Sequence, residues 1–379
     1  MRRRPRFREG AAAPSRSSTA QDPLAGFAPI LLAWRRREGR TGLPWQGSRD
    51  PYRVWLSEIM LQQTRVETVR SYYLRFLERF PDVHALARAP LGDVLGAWAG
   101  LGYYARARNL HHCARIVSEQ HGGRFPALAD LLARLPGIGR STANAIAAFC
   151  HGERVPILDA NARRVVARLF GVEGDARSAA VTRVLWAHAQ SLLPAAEWTA
   201  ESAAASTAES AAESMAEYTQ AVMDLGATVC LPRAPACGRC PASGLCRAHA
   251  SGRERDIPAR AARRARPERT LHLLLLVHGG RVLLEERPAP GVWGGLLCPP
   301  QFASRAALVR EALRRGAGRT LARPEVRHEL THFTMRILPR LARPPRAPRE
   351  AAGRRWVALA RLEGEALPAP VARLLRELS

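Results

Sequence analysis

Four closely spaced cysteines constrain this chain more than any other feature. Cys230, Cys237, Cys240 and Cys246 lie in the stretch CLPRAPACGRCPASGLC, with spacing C-x6-C-x2-C-x5-C. Four thiolates that near in sequence can hold one tetrahedral metal or one iron–sulfur cluster. The spacing alone leaves zinc and iron–sulfur both open. A disulfide pair is the weaker reading, because nothing in the sequence marks an oxidising compartment. Cys113, Cys150 and Cys298 stand alone and read as small buried residues.

Charge narrows the partners. The 379 residues carry a formal net charge of +25, far outside ordinary globular balance. Such an excess calls for a polyanion, most simply nucleic acid, against the blander reading of a highly charged soluble protein. All 58 basic residues are arginine, and there is no lysine anywhere in the chain. No apolar run approaches the ~18 residues that span a bilayer. A cytoplasmic protein without a membrane partner is therefore expected.

The pattern along the chain separates several regions. Residues 1–26 are basic and rich in Ala, Ser and Pro, and read as a disordered tail. Residues 27–250 have helical periodicity, with apolar positions three and four apart in VWLSEIMLQQTRVETV, LGDVLGAWAG and ANARRVVARLF. The low-complexity segment around 200–214, where AES recurs, reads as a solvated helix former without chemistry. Residues 251–268 read as a basic linker. From 269 to 379 the period changes: LHLLLLV, RVLLEER and MRILPRLA read as strands, His278–Arg281 as a hairpin turn, and SRAALVREALRR as a helix. The expected fold is an all-α body followed by a smaller α+β domain.

Within the helical region, LPGIGRSTANAIA at 135–147 places Pro136, Gly137 and Gly139 just before a small-residue helix. Glycines allow close backbone approach, and free N–H groups at the helix start favour an anion such as a phosphate. Alone, a G-x-G is more often only a turn.

Together with LPWQGSRDPYRVWLSEIMLQQTRVETV, GLGYYARARNLHHCA, PILDANARRV and the four cysteines, this stretch resembles the adenine DNA glycosylase (MutY) family of helix-hairpin-helix glycosylases. The resemblance runs from about Trp34 to Cys246 and resumes near Leu271. It implies a six-helix barrel over about 45–154, and a second helical lobe from 27–44 plus 155–250. It also implies a [4Fe–4S] cluster on the four cysteines, and a MutT-like C-terminal domain. The implied reaction is removal of adenine from duplex DNA where it is mispaired with 8-oxoguanine or guanine, by a monomeric enzyme.

Breaking an N-glycosidic bond needs an acid for the leaving base and an anion near C1′, as two carboxylates in different protonation states supply in glycosidases. Glu58 lies among Trp55, Leu56, Ile59 and Met60, whose apolar character should raise its pKa and keep a proton available. The resemblance makes it the general acid. Asp159 precedes the helix ANARRVVARLF and should cap it, with helix N–H donors keeping the carboxylate ionised. The resemblance assigns it the sugar cation, with Asn161 beside it. Ala160 departs from the family's usual Gly, which puts close backbone approach in doubt.

The resemblance also makes Gln62 and Tyr103 wedges in the duplex. Arg106 and Arg163 are expected to meet phosphates. Ser141 stands where strand-cleaving relatives carry a lysine, and a serine cannot form an imine. In the C-terminal domain, Arg314 and Arg315 replace an acidic pair that a nucleotide hydrolase would need for Mg²⁺. Thr331 and His332 match the family's 8-oxoguanine-reading loop, whereas Leu330 replaces its Phe. Two other readings remain: an endonuclease III-like enzyme with strand cleavage, and a catalytically silent Fe–S DNA-binding module. The C-terminal domain argues against the first, and Glu58 against the second.

Overall fold

The structure, a computed structural model, describes residues 24, 26–195, 208–259, 265–289, 291–348 and 353–378. Most of the basic tail and residues 200–207 of the AES-rich segment lie outside these residues.

Ten helices occupy the first half: α1 (Phe27–Glu38), α2 (Pro51–Leu61), α3 (Val66–Arg79), α4 (Val83–Arg88), α5 (Leu91–Ala97), α6 (Ala105–Gln120), α7 (Ala129–Leu132), α8 (Arg140–His151), α9 (Ala160–Phe170) and α10 (Ala179–Ser191). Their ends follow local chemistry. Asp50 accepts a hydrogen bond from Tyr52 N at 2.9 Å, with Pro51 in the first turn of α2. Asp82 caps α4 through Ala85 N at 2.8 Å. The segment VWLSEIMLQQTRVETV, read as a single helical pattern, divides at residues 62–65, where Gln63 adopts a left-handed φ of 58°. The break leaves Gln62 at the end of α2 rather than on its flank.

Helix α11 (Ala208–Thr228) runs into the cysteine segment, which ends in the short helix α12 (Arg247–Ala250). Two apolar cores divide the helical body. One gathers α2, α3, α5 and α6 around Trp55, Phe76 and Trp98. The other gathers α1, α9, α10 and α11 around Phe27, Trp34, Val166 and Tyr218. Helix α8 belongs to both: Ile146 and Ala147 face the first core, Ala145 and Ala148 the second, and Thr142–Ala148 are all buried.

The C-terminal domain has a mixed sheet. Strand β1 (Glu268–His278) pairs in parallel with β7 (Thr334–Ala342), from Glu268 opposite Thr334 to Leu276 opposite Ala342. It forms a hairpin with β2 (Arg281–Glu286), through Gly279 and Gly280 at φ 53° and 71°. The strands β3 (Leu297–Cys298), β4 (Gln301–Phe302), β5 (Thr320–Ala322), β6 (Val326–Glu329) and β8 (Arg354–Ala358) extend it, with α13 (Arg305–Arg314) and α14 (Ala369–Arg376) against it. One continuous apolar cluster runs from the first helical core into this domain, through Leu284, Trp293, Leu367 and Leu375. The junction is close: a Cβ on Gly96 would stand 2.5 Å from the Gly364 carbonyl oxygen. Arg108 Nη1 donates to the Gly294 carbonyl at 2.7 Å, and the Tyr104 hydroxyl donates to the Leu367 carbonyl at 3.2 Å. No helix among the described residues is long and apolar enough to cross a membrane.

The segment read as a linker is anchored in its first part. Ile257 is buried, and Ala259 N donates to the Gly174 carbonyl at 3.1 Å.

Asp224 on α11 has no solvent exposure, and joins the chain before α2 to the second core. It accepts from Arg40 Nε and Gln220 Nε2, both at 2.8 Å, and from Arg40 N at 3.2 Å. A buried carboxylate stripped of its charge leaves these donors under-satisfied. Asp224→Asn should therefore lower the free energy of unfolding by about 3 kcal/mol, read from urea midpoints. An unchanged midpoint would show that this network contributes nothing net.

Candidate active site

Helix α2 turns Trp55, Leu56, Ile59 and Met60 into the core and leaves Glu58 partly accessible on another face. There Glu58 lines a narrow cavity of about 60 Å³ with Trp45, Leu61, Val66 and Phe149 and with the polar Arg40 and Gln46. Burial drives its carboxyl up to about 8, and the negative charge of Asp159 pushes the same way. At neutral pH the group therefore holds its proton, as a desolvated carboxylic acid does.

Asp159 caps α9, its Oδ1 accepting from Ala162 N at 2.7 Å. The cap was expected to hold this carboxyl in its ionised range. Burial instead outweighs the backbone donors of Ala162 and Asn161 and the charges of Arg164 and Arg40, so the net shift is upward. Ionisation at Asp159 thus depends on the opposing arginines and on Glu58 staying neutral. Ala160 is the first residue of α9, exposed and outside the left-handed region, so the missing glycine costs no backbone strain. Asn161 Oδ1 accepts from Arg164 Nη2 at 3.0 Å.

The hairpin separates its two glycines. Gly137 has φ 78°, and a Cβ there would meet Asn109 Cβ at 2.8 Å. Gly139 has an ordinary φ of −82°, and a Cβ there would meet nothing. Its benefit lies in what approaches from outside. Pro136 is partly buried beside them. Ser141, in the first turn of α8, has a buried Oγ with no hydrogen-bond partner among the described residues. Gln62 Nε2 donates to Thr142 Oγ1 at 3.3 Å, tying the end of α2 to the same helix. Tyr103 stands out from the surface at φ 51°, 46% exposed.

Arg106 is not free to meet a phosphate. Its guanidinium is buried, with Nη1 donating to the Ile59 and Met60 carbonyls at 2.9 Å and to the Gln62 carbonyl. Nη2 donates to Thr64 Oγ1 at 2.9 Å and to the Gly102 carbonyl at 3.3 Å. It also sits 5.5 Å from the Tyr103 ring centre. Six carbonyl or hydroxyl partners leave this cation a scaffold that joins the Gln62 and Tyr103 loops. Arg163 is similarly occupied on one nitrogen, with Nη1 donating to the Ala176 carbonyl and to Thr182 Oγ1 at 2.7 Å.

The four cysteines are free and half-buried, none in a disulfide. Burial and the neighbouring thiolates of Cys230, Cys246 and Cys237 push Cys240 up to about 11. Backbone N–H groups of Ala242, Ala248 and His249 face Cys240 and Cys246, and Arg168 Nη1 donates to Cys230 Sγ at 3.2 Å. Cys237 also lies with His249 and Glu254 in a set whose ligand atoms fall within 4.8 Å of one another.

In the C-terminal domain, Thr331 and His332 form an exposed turn between β6 and β7, closed by Leu330 N donating to the Phe333 carbonyl at 2.9 Å. Leu330 packs on the core. On α13, Arg315 Nε pairs with Glu311 at 2.6 Å, and Arg314 pairs with the same carboxylate.

Residues 56–190 match the model of the HhH-GPD superfamily base excision DNA repair proteins, and residues 272–377 that of the NUDIX domain. A protein from Buchnera aphidicola (subsp. Baizongia pistaciae) described as adenine DNA glycosylase is 33% identical over 83% of this chain and 85% of its own length. The human adenine DNA glycosylase is 40% identical over 59% of this chain and 40% of its own length. A solved thermostable thymine-DNA glycosylase matches 62% of this chain and all of its own, with TM-score 0.52 and 26% identity. The chain belongs to the adenine DNA glycosylase (MutY) family.

Two supports of the site have roles that the sequence did not assign them. Arg106, expected at a phosphate, is one. The other is Gly226 on α11, where a Cβ would stand 2.6 Å from Asn161 Cβ and 3.0 Å from its backbone. Even alanine there must push α9 away. Gly226→Ala should cost about 1–3 kcal/mol of stability and displace Asp159. The expected excision rate constant is at least tenfold lower, and wild-type values of both would show that α9 relaxes freely.

Glu58 also gives the protein a pH-dependent stability. Its folded value is raised from 4.5 to about 8, so its contribution is complete below 4.5 and is lost as pH rises through about 8. Glu58→Gln should be more stable than the parent by about 1–3 kcal/mol at pH 8 and equal to it near pH 4. Parallel urea midpoints at both pH values would remove the assignment.

Proposed function

We propose that this chain is a monofunctional DNA glycosylase that removes adenine mispaired with 8-oxoguanine or guanine from duplex DNA, in base excision repair. The observation that carries the reading is the desolvated Glu58 lining a narrow cavity and acting electrostatically with Asp159 at the cap of α9. The net charge of +25 fits a DNA partner.

An extruded adenine enters the Glu58 cavity, and Gln62 and Tyr103 fill the space it leaves in the duplex. Glu58 donates its proton to adenine N7 while the C1′–N9 bond breaks and its electron pair stays on the base. Asp159 stabilises the sugar cation, with Asn161 held beside it. Water adds its oxygen to C1′ and releases its proton to the carboxylates. Ser141 cannot form an imine and the chain contains no lysine, so the strand is left intact at an abasic site. The unpartnered Ser141 Oγ is available to hydrogen-bond within the base pocket. Pro136, Gly137 and Gly139 present backbone to a phosphate.

Cys230, Cys237, Cys240 and Cys246 would hold a [4Fe–4S] cluster. When bound, it supplies a four-point cross-link of the second lobe. Thr331 and His332 read the 8-oxoguanine. Two arginines neutralise Glu311, which argues against Mg²⁺-dependent nucleotide hydrolysis by this domain.

Single-turnover excision from duplexes with adenine opposite 8-oxoguanine, guanine or cytosine tests the reading. Excision should be fastest opposite 8-oxoguanine, and its rate constant should fall about tenfold per pH unit above about 8, as Glu58 loses its proton. Asp159→Asn and Glu58→Gln should retain mispair binding and lose roughly 10²–10⁴-fold in rate. Wild-type rates in either variant, or efficient borohydride trapping of the parent on DNA, would overturn it.

A further inference from the structure

Asp159 lines two kinds of space. Through its charge it reaches Glu58; through its surface it borders a groove of about 570 Å³ at the α9 N-terminus. Five arginines line that groove: Arg163, Arg164, Arg168, Arg177 and Arg255. Asp159 and Asp175 are the acidic residues in its lining.

The arginines differ in what they hold. Arg164 donates to the Cys230 and Gly226 carbonyls, both at 2.6 Å. Arg168 is buried, and donates to the Leu231 carbonyl at 2.8 Å and the Ile257 carbonyl at 2.9 Å. These two build the wall. Arg177 and Arg255 are exposed at the surface of the groove. Arg177 Nε reaches Asp175 at 3.3 Å, in a pair open to solvent. Arg255 lies on the strap that Ile257 and Ala259 fasten to the lobe, so its position is set by buried contacts.

If Glu58 receives the base, Asp159 must face C1′ of the same nucleotide. The two phosphodiesters of that sugar are then only a sugar's width from Asp159, and the groove bordering Asp159 is the space beside them. We propose that Arg177 and Arg255 bind a phosphodiester flanking the extruded adenosine, on the adenine-bearing strand. The site rests on the glycosylase reading, and adds to it a segment that the sequence marks only as linker. The cations do no chemistry; they fix the strand so that C1′ is held against Asp159.

The test uses the full chain and a duplex with adenosine opposite 8-oxoguanine, its 2′ position fluorinated so that the base is not excised. The Arg177→Gln/Arg255→Gln double variant should reduce the slope of log affinity against log salt by about one, the charge of one phosphodiester, and each single variant by less. Urea midpoints should stay at the parent value, because both side chains are exposed. Replacing the 3′ or the 5′ flanking phosphodiester by a neutral methylphosphonate should weaken parent binding at one of the two positions. On that duplex the variants should lose nothing further. Parent slopes in both variants, or equal additional losses on both methylphosphonate duplexes, would overturn the site. Excision of unmodified adenine by the parent protein is measured alongside. If the parent excises adenine and the slopes are unchanged, only the phosphate site falls; if it excises none, the glycosylase reading falls.

Discussion

Helix α8 is the member on which the rest of the molecule depends. It is buried along Thr142–Ala148 and serves two cores at once, which requires side chains small enough for helices to approach from both sides. The run ANAIAA supplies them. Because no face of α8 is free, its ends are fixed, and the functional groups are hung from those ends. Thr142 receives Gln62, Ser141 opens the hairpin side, and Asn144 Nδ2 donates to the Pro156 carbonyl at 2.8 Å, holding the segment that leads to Asp159. A larger residue at Ala145 or Ala147 would overpack a helix with no direction in which to move.

Electrostatics at the site follow from that burial. Two carboxyls in one low-dielectric region cannot both ionise cheaply, so one takes the proton. Glu58 takes it because burial and the charge of Asp159 act on it with no backbone N–H donor opposing them. Asp159 has helix N–H donors, Arg164 and Arg40 on its side, and Arg40 is in turn held by the buried Asp224. The division of labour between acid and anion thus follows the helix cap that only Asp159 possesses. At Asp159 desolvation exceeds the cap, which alone would have kept this carboxylate low.

Much of this was legible in the sequence because it depends on local rules. The cap at Asp159, the glycine hairpin at 279–280, and the change of period near 269 all sit within a few residues of their cause. What was not legible lies across long separations. Arg106 looks like any basic residue after an aromatic pair, and only the packed chain shows its guanidinium spent on the carbonyls of residues 59, 60 and 62. Gly226 lies inside a helix, where glycine ordinarily reads as a weak point; its reason is Asn161, 65 positions away. The strap at 255–259 carries linker composition, yet Ile257 is buried against the second lobe.

The junction with the C-terminal domain shows how such long-range contacts bear on specificity. The loop at 291–295 holds Trp293 at φ 61°, a conformation that costs a bulky side chain on the order of 1–2 kcal/mol. Three contacts offset that cost. Trp293 is buried against the His328 ring at 6.1 Å, the next residue's carbonyl accepts from Arg108, and Gly295 lies against Leu95. Arg108 and Tyr104 both belong to the first turn of α6 or the residue that opens it, directly after the exposed Tyr103. His328 stands on β6, which leads into the Thr331–His332 turn. The strained loop therefore bridges the base of one surface group and the strand that carries the other. Any rotation of the C-terminal domain must break the hydrogen bonds that the Arg108 and Tyr104 side chains donate to its Gly294 and Leu367 carbonyls, so the distance between Tyr103 and the Thr331–His332 turn is set by packing.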